Sequence, residues 1–319
     1  MSEHSNSSSI DLPASNPLES VADLLEAARL MGLRLTSDRT DFDKSGLDFL
    51  VVHARDEDGT AWIVRTPRRP DVIESARVEA RVLDLVRPLL PVAAPHWRLF
   101  SRDVIAYPRL AGTPAVTVDE ARGPTWNILD PTAPSSAFLD SMAGALAALQ
   151  AIEPEEAKGA GVPVKSIEEV RRFLRATIEA TREALTPSEA VWRRWTAWIE
   201  SGDTWPDHVA LVHGDLHPGH MLLDAGGRLI GILDWTEAQV TDPSGDFAMF
   251  FGCFGRPALE ALVARFESAG GRVWPGLMDH AVERWAIFPA LAAEWALRTG
   301  NEAALEHARS YLAPPVAAP

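Results

Sequence analysis

Apolar positions first recur at helical spacing in "ESVADLLEAARLMGL", where Val21, Leu24, Leu25 and Ala28 fall on one side. The pattern then shifts to two β-rich runs, 49–54 and 60–65, around Asp58-Gly59, a dipeptide suited to a tight hairpin turn. "DVIESARVEARVLDLVRPLL" returns to helical spacing, with Val78, Val82, Leu83 and Val86 on its apolar side. "WRLFSRDVIAYPRLAGTP" reads as a further pair of strands ending in a Pro/Gly-punctuated connector. Residues 19 to about 110 therefore predict a small antiparallel sheet with one helix inserted.

From Ser135 onward helices take over. Leu139, Met142, Leu146 and Leu149 form a stripe, and 166–185 and 188–201 read as amphipathic helices, with Trp192, Trp195 and Trp198 as core. "HMLLDAGGRLIGILDW" interrupts them with one short hairpin turning at Ala225-Gly226-Gly227, and three further helical segments run from 257 to 313. The expected class is α+β: a small antiparallel β lobe with one helix over 18–110, then a larger, mainly helical lobe over 111–319. The first stretch, 1–17, is polar and reads as a disordered tail.

A length of 319 residues suits such a bilobal unit. Thirty basic against forty-five acidic side chains leave a formal charge of −15, which disfavours nucleic acid and anionic membrane surfaces and favours cations, including metal ions and amine-bearing substrates. Cys253 is the single cysteine, so an intrachain disulfide and a cysteine-built metal site are both excluded. No apolar stretch approaches the roughly 20 residues of a membrane span, and the N-terminus lacks a signal core. The expectation is a cytoplasmic monomer acting on a small molecule.

The chemistry concentrates in "LVHGDLHPGH", residues 211–220, and in "LIGILDWTEA", where Asp234 ends an apolar run. His213, Asp215 and His220 lie on the loop entering the first strand of the short hairpin, and Asp234 sits where the second strand ends. A hairpin brings its two ends together, so Asp215, His220 and Asp234 can converge. Two carboxylates and a nitrogen ligand at one sheet edge suit a magnesium–phosphate site, in which one Asp takes a hydroxyl proton and the other holds metal. His-Gly-Asp alone is a weak signal, and for His217 a loop-supporting role is the better reading.

"HGDLHPGH" followed by "ILDW" is similar to the catalytic and metal-binding segments of the aminoglycoside phosphotransferase and protein kinase-like superfamily. His220, in place of the usual Asn, resembles the macrolide 2'-phosphotransferases within it, as do "IVRTPRRPDV", "SGLDF", "DWTEA", "GGRVWP" and "RTGNE". The resemblance runs from about residue 40 to the C-terminus and implies a bilobal kinase-like fold. It implies Asp215 as the catalytic base, His220 and Asp234 as ligands of Mg2+, and His213 and Asp246 as supports of the catalytic loop. In the small lobe it places Arg65 where kinases put a phosphate-contacting Lys and Glu79 where its partner belongs. The phosphate-covering turn would be Ser45-Gly46-Leu47, and the connector would offer the Pro108 carbonyl and the Leu110 amide to a purine. GTP, or ATP, is the implied donor and a macrolide the implied acceptor.

Two departures qualify the match. There is no G-x-G-x-x-G, and Arg65 presents a wide planar fork in place of the Lys ammonium. An ordinary ion pair is a competing reading of Arg65 and Glu79. The apolar segments 247–254 and 284–295, with Phe251, Trp285, Phe288 and Trp295, are candidates for the acceptor surface, although an aromatic stripe is as readily core packing. Other readings are an aminoglycoside or other small-alcohol kinase of the same fold, a catalytically dead binding module, and a metallohydrolase.

Overall fold

Strand pairing follows the sequence pattern closely at the N-terminal end of the chain. The computed structural model describes residues 18, 20–38, 42–44, 46, 48–119 and 122–312. The expectations for 1–17 and for Ser45 and Leu47 lie outside the described residues. The chain divides into two units, one formed by residues up to Ser75 with His96–Arg109, the other by Ala76–Pro95 with residues from Leu110 onward.

The first unit opens with α1 (Val21–Leu30). Ser20 caps it: its Oγ accepts the Asp23 amide while the Asp23 carboxylate accepts the Ser20 amide, satisfying two otherwise orphaned donors. The strands β1 (Thr36–Ser37), β2 (Phe49–Arg55), β3 (Ala61–Pro67), β4 (Leu99–Phe100) and β5 (Ile105–Pro108) form one antiparallel sheet ordered β1-β2-β3-β5-β4. Leu24 and Ala28 of α1 pack on Val52, Ala54, Trp62, Val64, Val104 and Ala106. The β2–β3 turn is organised by Asp56: Oδ1 accepts the amides of Asp58 and Thr60, and Oδ2 accepts the Trp62 indole N–H at 2.9 Å. Gly59 supplies the positive φ, +82°, that closes this turn.

α2 (Pro70–Val86) begins in this unit, but residues 76–95 pack with the second, whereas the sequence pattern groups 18–110 together. The physical reason is polar as well as apolar. Val82, Leu83 and Val86 are buried, the Glu79 carboxylate lies 3.3 Å from the Thr236 hydroxyl, and the Ala93 backbone pairs with Ile230 and Ile232. Val78, expected on the apolar side, is only half-buried.

The second unit continues with β6 (Thr113–Pro114), β7 (Val116–Asp119), β8 (Gly123–Trp126), α3 (Ser136–Gln150), α4 (Pro154–Gly159), α5 (Ile167–Leu185) and α6 (Glu189–Glu200). Ser135, Ser166 and Ser188 accept the amides that open α3, α5 and α6. β9 (Ala210–Val212) leads into a one-turn 3-10 segment, Pro218–His220, then β10 (Met221–Leu223), β11 (Leu229–Ile232) and β12 (Gln239–Thr241). β10 pairs with β11 and β6, and β9 with β12, all antiparallel. α7 (Gly245–Ser268), α8 (Leu277–Ala286), α9 (Phe288–Thr299) and α10 (Glu302–Leu312) complete the chain. Trp195 and Trp198 are buried among α5, α6 and α9 side chains, as the helical spacing predicts. α7 starts well before the helical segment expected from 257, and it is broken at Gly255, whose φ of 77° and ψ of 177° lie in a region reserved for glycine.

Candidate active site

β9 is buried at every position and carries the chain into His213, which has no exposed surface. The His213 Nδ1 accepts the Asp215 amide at 3.3 Å, and its Nε2 lies 2.9 Å from the Leu233 carbonyl. An amide can only donate, so the ring proton sits on Nε2 and bonds Leu233. Burial pushes His213 down to about 3, with His220 acting in the same direction, so the ring is neutral. Its face packs on the buried Trp235.

Asp246, in the first turn of α7, holds the other side of this loop. Its two oxygens accept the His213 and Gly214 amides at 2.9 and 3.0 Å. Burial pushes its carboxyl up to about 6, against the pull of the two amides. Gly214 has a φ of +86°, and a Cβ there would stand 2.4 Å from the Glu237 carbonyl oxygen. No other residue fits that position.

Asp215 therefore leaves a backbone fixed from both sides. Its carboxyl is pushed up to about 6, chiefly by burial, with His220 opposing and Asp234 and Glu237 adding to the rise. Asp215 Oδ2 lies 3.7 Å from His220 Nδ1 and 3.9 Å from His217 Nε2. Asp234 adopts a left-handed backbone, φ +57°, which a short polar side chain tolerates. The Thr236 hydroxyl donates to Asp234 Oδ1 at 2.8 Å.

Asp215, His217 and His220 lie close enough to share a cation. The proton positions decide between the two histidines. His217 Nδ1 accepts the Gly219 amide at 3.0 Å, so the neutral ring carries its proton on Nε2 and has no lone pair left for an ion. Burial, with His220 beside it, pushes His217 down to about 4, which keeps that ring neutral. His220 Nδ1 instead faces the Asp215 carbonyl at 3.0 Å, an acceptor only, so Nδ1 carries a proton and Nε2 is the ring nitrogen left to offer a lone pair to an ion. That nitrogen is 3.8 Å from Asp234 Oδ2, a spacing one cation can bridge. The donor set of one imidazole and one carboxylate, beside a second carboxylate, fits a divalent ion.

Comparisons with known proteins give the family of the chain. Residues 41–280 match the family described as "Phosphotransferase enzyme family". The chain belongs to that phosphotransferase family. It is similar to the uncharacterized protein YcbJ of Bacillus subtilis (strain 168), at 36% identity over 90% of this chain and 94% of that one. Among solved structures it is similar to macrolide 2'-phosphotransferase MphH from Brachybacterium faecium, at 36% identity and a TM-score of 0.84, covering 92% of this chain and 99% of that one. It is also similar to a macrolide 2'-phosphotransferase type I, at 35% identity and a TM-score of 0.85, covering 94% and 99%. The kinase-like fold and an enzyme that transfers phosphate to a hydroxyl follow directly.

In this phosphotransferase the structure brings Asp215, His220, Asp234, His213 and Asp246 together in one unit, with Glu79 tied to them through Thr236. Gly46, Arg65 and Pro108 belong to the other unit. There the buried Arg65 guanidinium lies 4.2, 4.7 and 5.8 Å from the ring centres of Phe49, Trp97 and Tyr107. Arg68 donates to the Gly46 carbonyl at 2.6 Å. Pro108 pairs with Trp62 in the sheet, and Leu110 opens the second unit. Of the aromatic residues, Trp285 and Phe288 stack at 5.0 Å, and the Trp285 indole lies over Gly252, where a Cβ would clash at 2.4 Å. Phe251 and Trp295 are half-buried on α7 and α9.

Sequence reasoning missed Thr236 and Gly214. Thr236 stands inside the quoted "DWTEA", but a hydroxyl bridging Asp234 and Glu79 has no periodic signal. It also missed the hairpin β7–β8, whose Trp126 packs edge-on against Phe254, because those strands are short and largely exposed.

Proposed function

We propose that this phosphotransferase moves the γ-phosphate of GTP, or ATP, to the 2'-hydroxyl of the amino sugar of a macrolide, and so confers resistance. The observation that carries this reading is the full-length likeness, at 35–36% identity, to two macrolide 2'-phosphotransferases. Asp215 accepts the proton of the acceptor hydroxyl as that oxygen bonds the γ-phosphorus. The bond from phosphorus to the bridging oxygen breaks, and the nucleoside diphosphate leaves with the electron pair. His220 and Asp234 hold Mg2+, which when bound neutralises the phosphate oxygens. Ser45, Gly46, Arg65 and Glu79 serve the phosphates, and Pro108 and Leu110 the purine edge.

The amino sugar carries a dimethylammonium next to the 2'-oxygen, and in this reading the carboxyl of Asp215 serves both, taking the hydroxyl proton while its charge faces the cation. The lactone lies on the apolar surface of 247–254 and 284–295, including Phe251, Trp285, Phe288 and Trp295, where each Å² of apolar area buried contributes about 25 cal/mol. The test incubates erythromycin-like macrolides and kanamycin-like aminoglycosides with enzyme, Mg2+ and GTP. One added phosphate on the macrolide, located by NMR on the 2'-oxygen, is expected. Efficient phosphorylation of the aminoglycoside, or phosphate elsewhere on the macrolide, overturns the reading.

A further inference from the structure

Asp242 follows β12 directly and is fully buried. Its Oδ1 accepts the Ser244 amide at 3.0 Å. Its Oδ2 lies 3.0 Å from His280 Nε2 and 3.8 Å from Arg284 Nε. His280, also fully buried, accepts the Trp198 indole N–H on Nδ1 at 3.1 Å. An indole only donates, so the His280 proton is on Nε2 and points at Asp242. Trp205 lies edge-on to the same ring at 4.5 Å. One carboxylate thus grips α8 through two side chains one helical turn apart.

The same short turn carries Asp246 four residues on, and Asp246 holds the amides of His213 and Gly214 immediately before Asp215. On α8, the residue after Arg284 is Trp285, whose indole packs over Gly252. Burying a carboxylate costs several kcal/mol unless it is compensated, and well-packed apolar residues would stabilise a core at least as well. What a buried charge and its directed hydrogen bonds add is a fixed spacing between the elements they join. Burial alone would push the Asp242 carboxyl up; His280, Arg284 and the Ser244 amide outweigh it and hold Asp242 below the usual carboxylate range.

We propose that Asp242, through His280 and Arg284, is a positioning residue that sets the spacing between helix α8 and the catalytic loop of Asp215. It touches no reacting atom and acts through Asp246 on one side and through α8 on the other. The inference rests on the reading of Asp215 as the base and of Trp285 as an acceptor contact.

The experiment compares the full-length wild type with Asp242→Asn and with Trp198→Phe, which removes one N–H and keeps an aromatic ring in the core. Steady-state kinetics with a macrolide and GTP are normalised to sites that bind a fluorescent GDP analogue, so misfolded protein is not counted. Hydrogen exchange is followed in parallel over 211–217. In Asp242→Asn, kcat per nucleotide-binding site is expected to fall about ten- to a hundredfold, the cost of a small misplacement, with macrolide KM raised and nucleotide affinity unchanged. Exchange at the His213 and Gly214 amides is expected to quicken, and Trp198→Phe to show the same changes in weaker form. If Asp242→Asn does not fold, Trp198→Phe decides alone. Unchanged kcat per site with unchanged exchange at 213–214, whatever the loss in melting temperature, shows a purely structural role and overturns the proposal. If no macrolide is phosphorylated even by wild type, the proposed function fails, and the exchange measurement still decides this inference.

Discussion

Gly214 and the Glu237 carbonyl are in closer contact than any side chain at position 214 would allow: a Cβ would stand 2.4 Å from that oxygen. The loop before Asp215 is thus pressed against the segment after Asp234, and the pressing needs a residue with no side chain and a positive φ. Gly214→Ala is expected to lower kcat by about a hundredfold, the loss typical of a misplaced catalytic group. Steady-state kinetics on protein that still binds nucleotide check this, and near-native turnover would show that the loop absorbs the change.

For Asp215 two outcomes are linked. Asp215→Asn is expected to cost roughly 10²–10⁴-fold in turnover, the contribution of a positioned base, while nucleotide binding survives. In the wild type the carboxyl is pushed up to about 6, so it is protonated, and unable to take a proton, below that pH. Activity should therefore be full above about pH 7, half-maximal near pH 6, and fall about tenfold per unit below about pH 5. A kcat/KM profile flat from pH 7 down to 4.5 would remove Asp215 from the role.

The proton positions on the two histidines give a sharper test of metal binding. Mn2+ titrated into enzyme and GDP, followed by electron paramagnetic resonance, should bind weakly to Asp234→Asn and to His220→Ala. His220→Asn should bind better than His220→Ala, since an amide oxygen suits such ions. His217→Ala should bind as wild type does, because the Gly219 amide already occupies the nitrogen opposite its proton. A loss at His217 equal to that at His220 would mean the rings are protonated the other way round.

Gly252 and Trp285 offer a test of the acceptor surface. Gly252→Ala forces the indole aside, since the new methyl would stand 2.4 Å from it. Macrolide KM is expected to rise roughly tenfold, about 1.4 kcal/mol, with GTP KM unchanged. An unchanged macrolide KM in both Gly252→Ala and Trp285→Ala would place the acceptor elsewhere.

The legible parts of this protein were those with a local signature. Leu24 and Ala28, Leu139 through Leu149, and Trp195 with Trp198 declare their helices because one face must be buried, and the Asp58-Gly59 turn declares its hairpin because so few dipeptides suit it. The convergence of Asp215, His220 and Asp234 could be foreseen because a hairpin lies between them. Membership of Glu79 in the second unit could not. It follows from contacts made far along the chain, among them the approach of Thr236, 157 residues away, and the Ala93 pairing with Ile230 and Ile232, and no spacing rule reaches that far. The early start of α7 was hidden for a different reason. "GDFAMFFGCF" is nearly apolar on all sides, so it shows no helical period and its helix goes unread, while Gly255 with Pro257 correctly marks where the next helical rod begins.

That break has a consequence for how the most apolar part of the chain presents itself. Residues 245–268 have, as an unbroken rod, the length and hydropathy of a bilayer-crossing anchor. Divided at Gly255 they become two rods, 245–254 and 256–268, of about 15 and 20 Å, against a hydrocarbon layer of about 30 Å. Neither has the reach, and the first is committed at its start to the buried carboxylate of Asp246. One glycine thus keeps the most apolar segment of the described residues from forming a rod of spanning length.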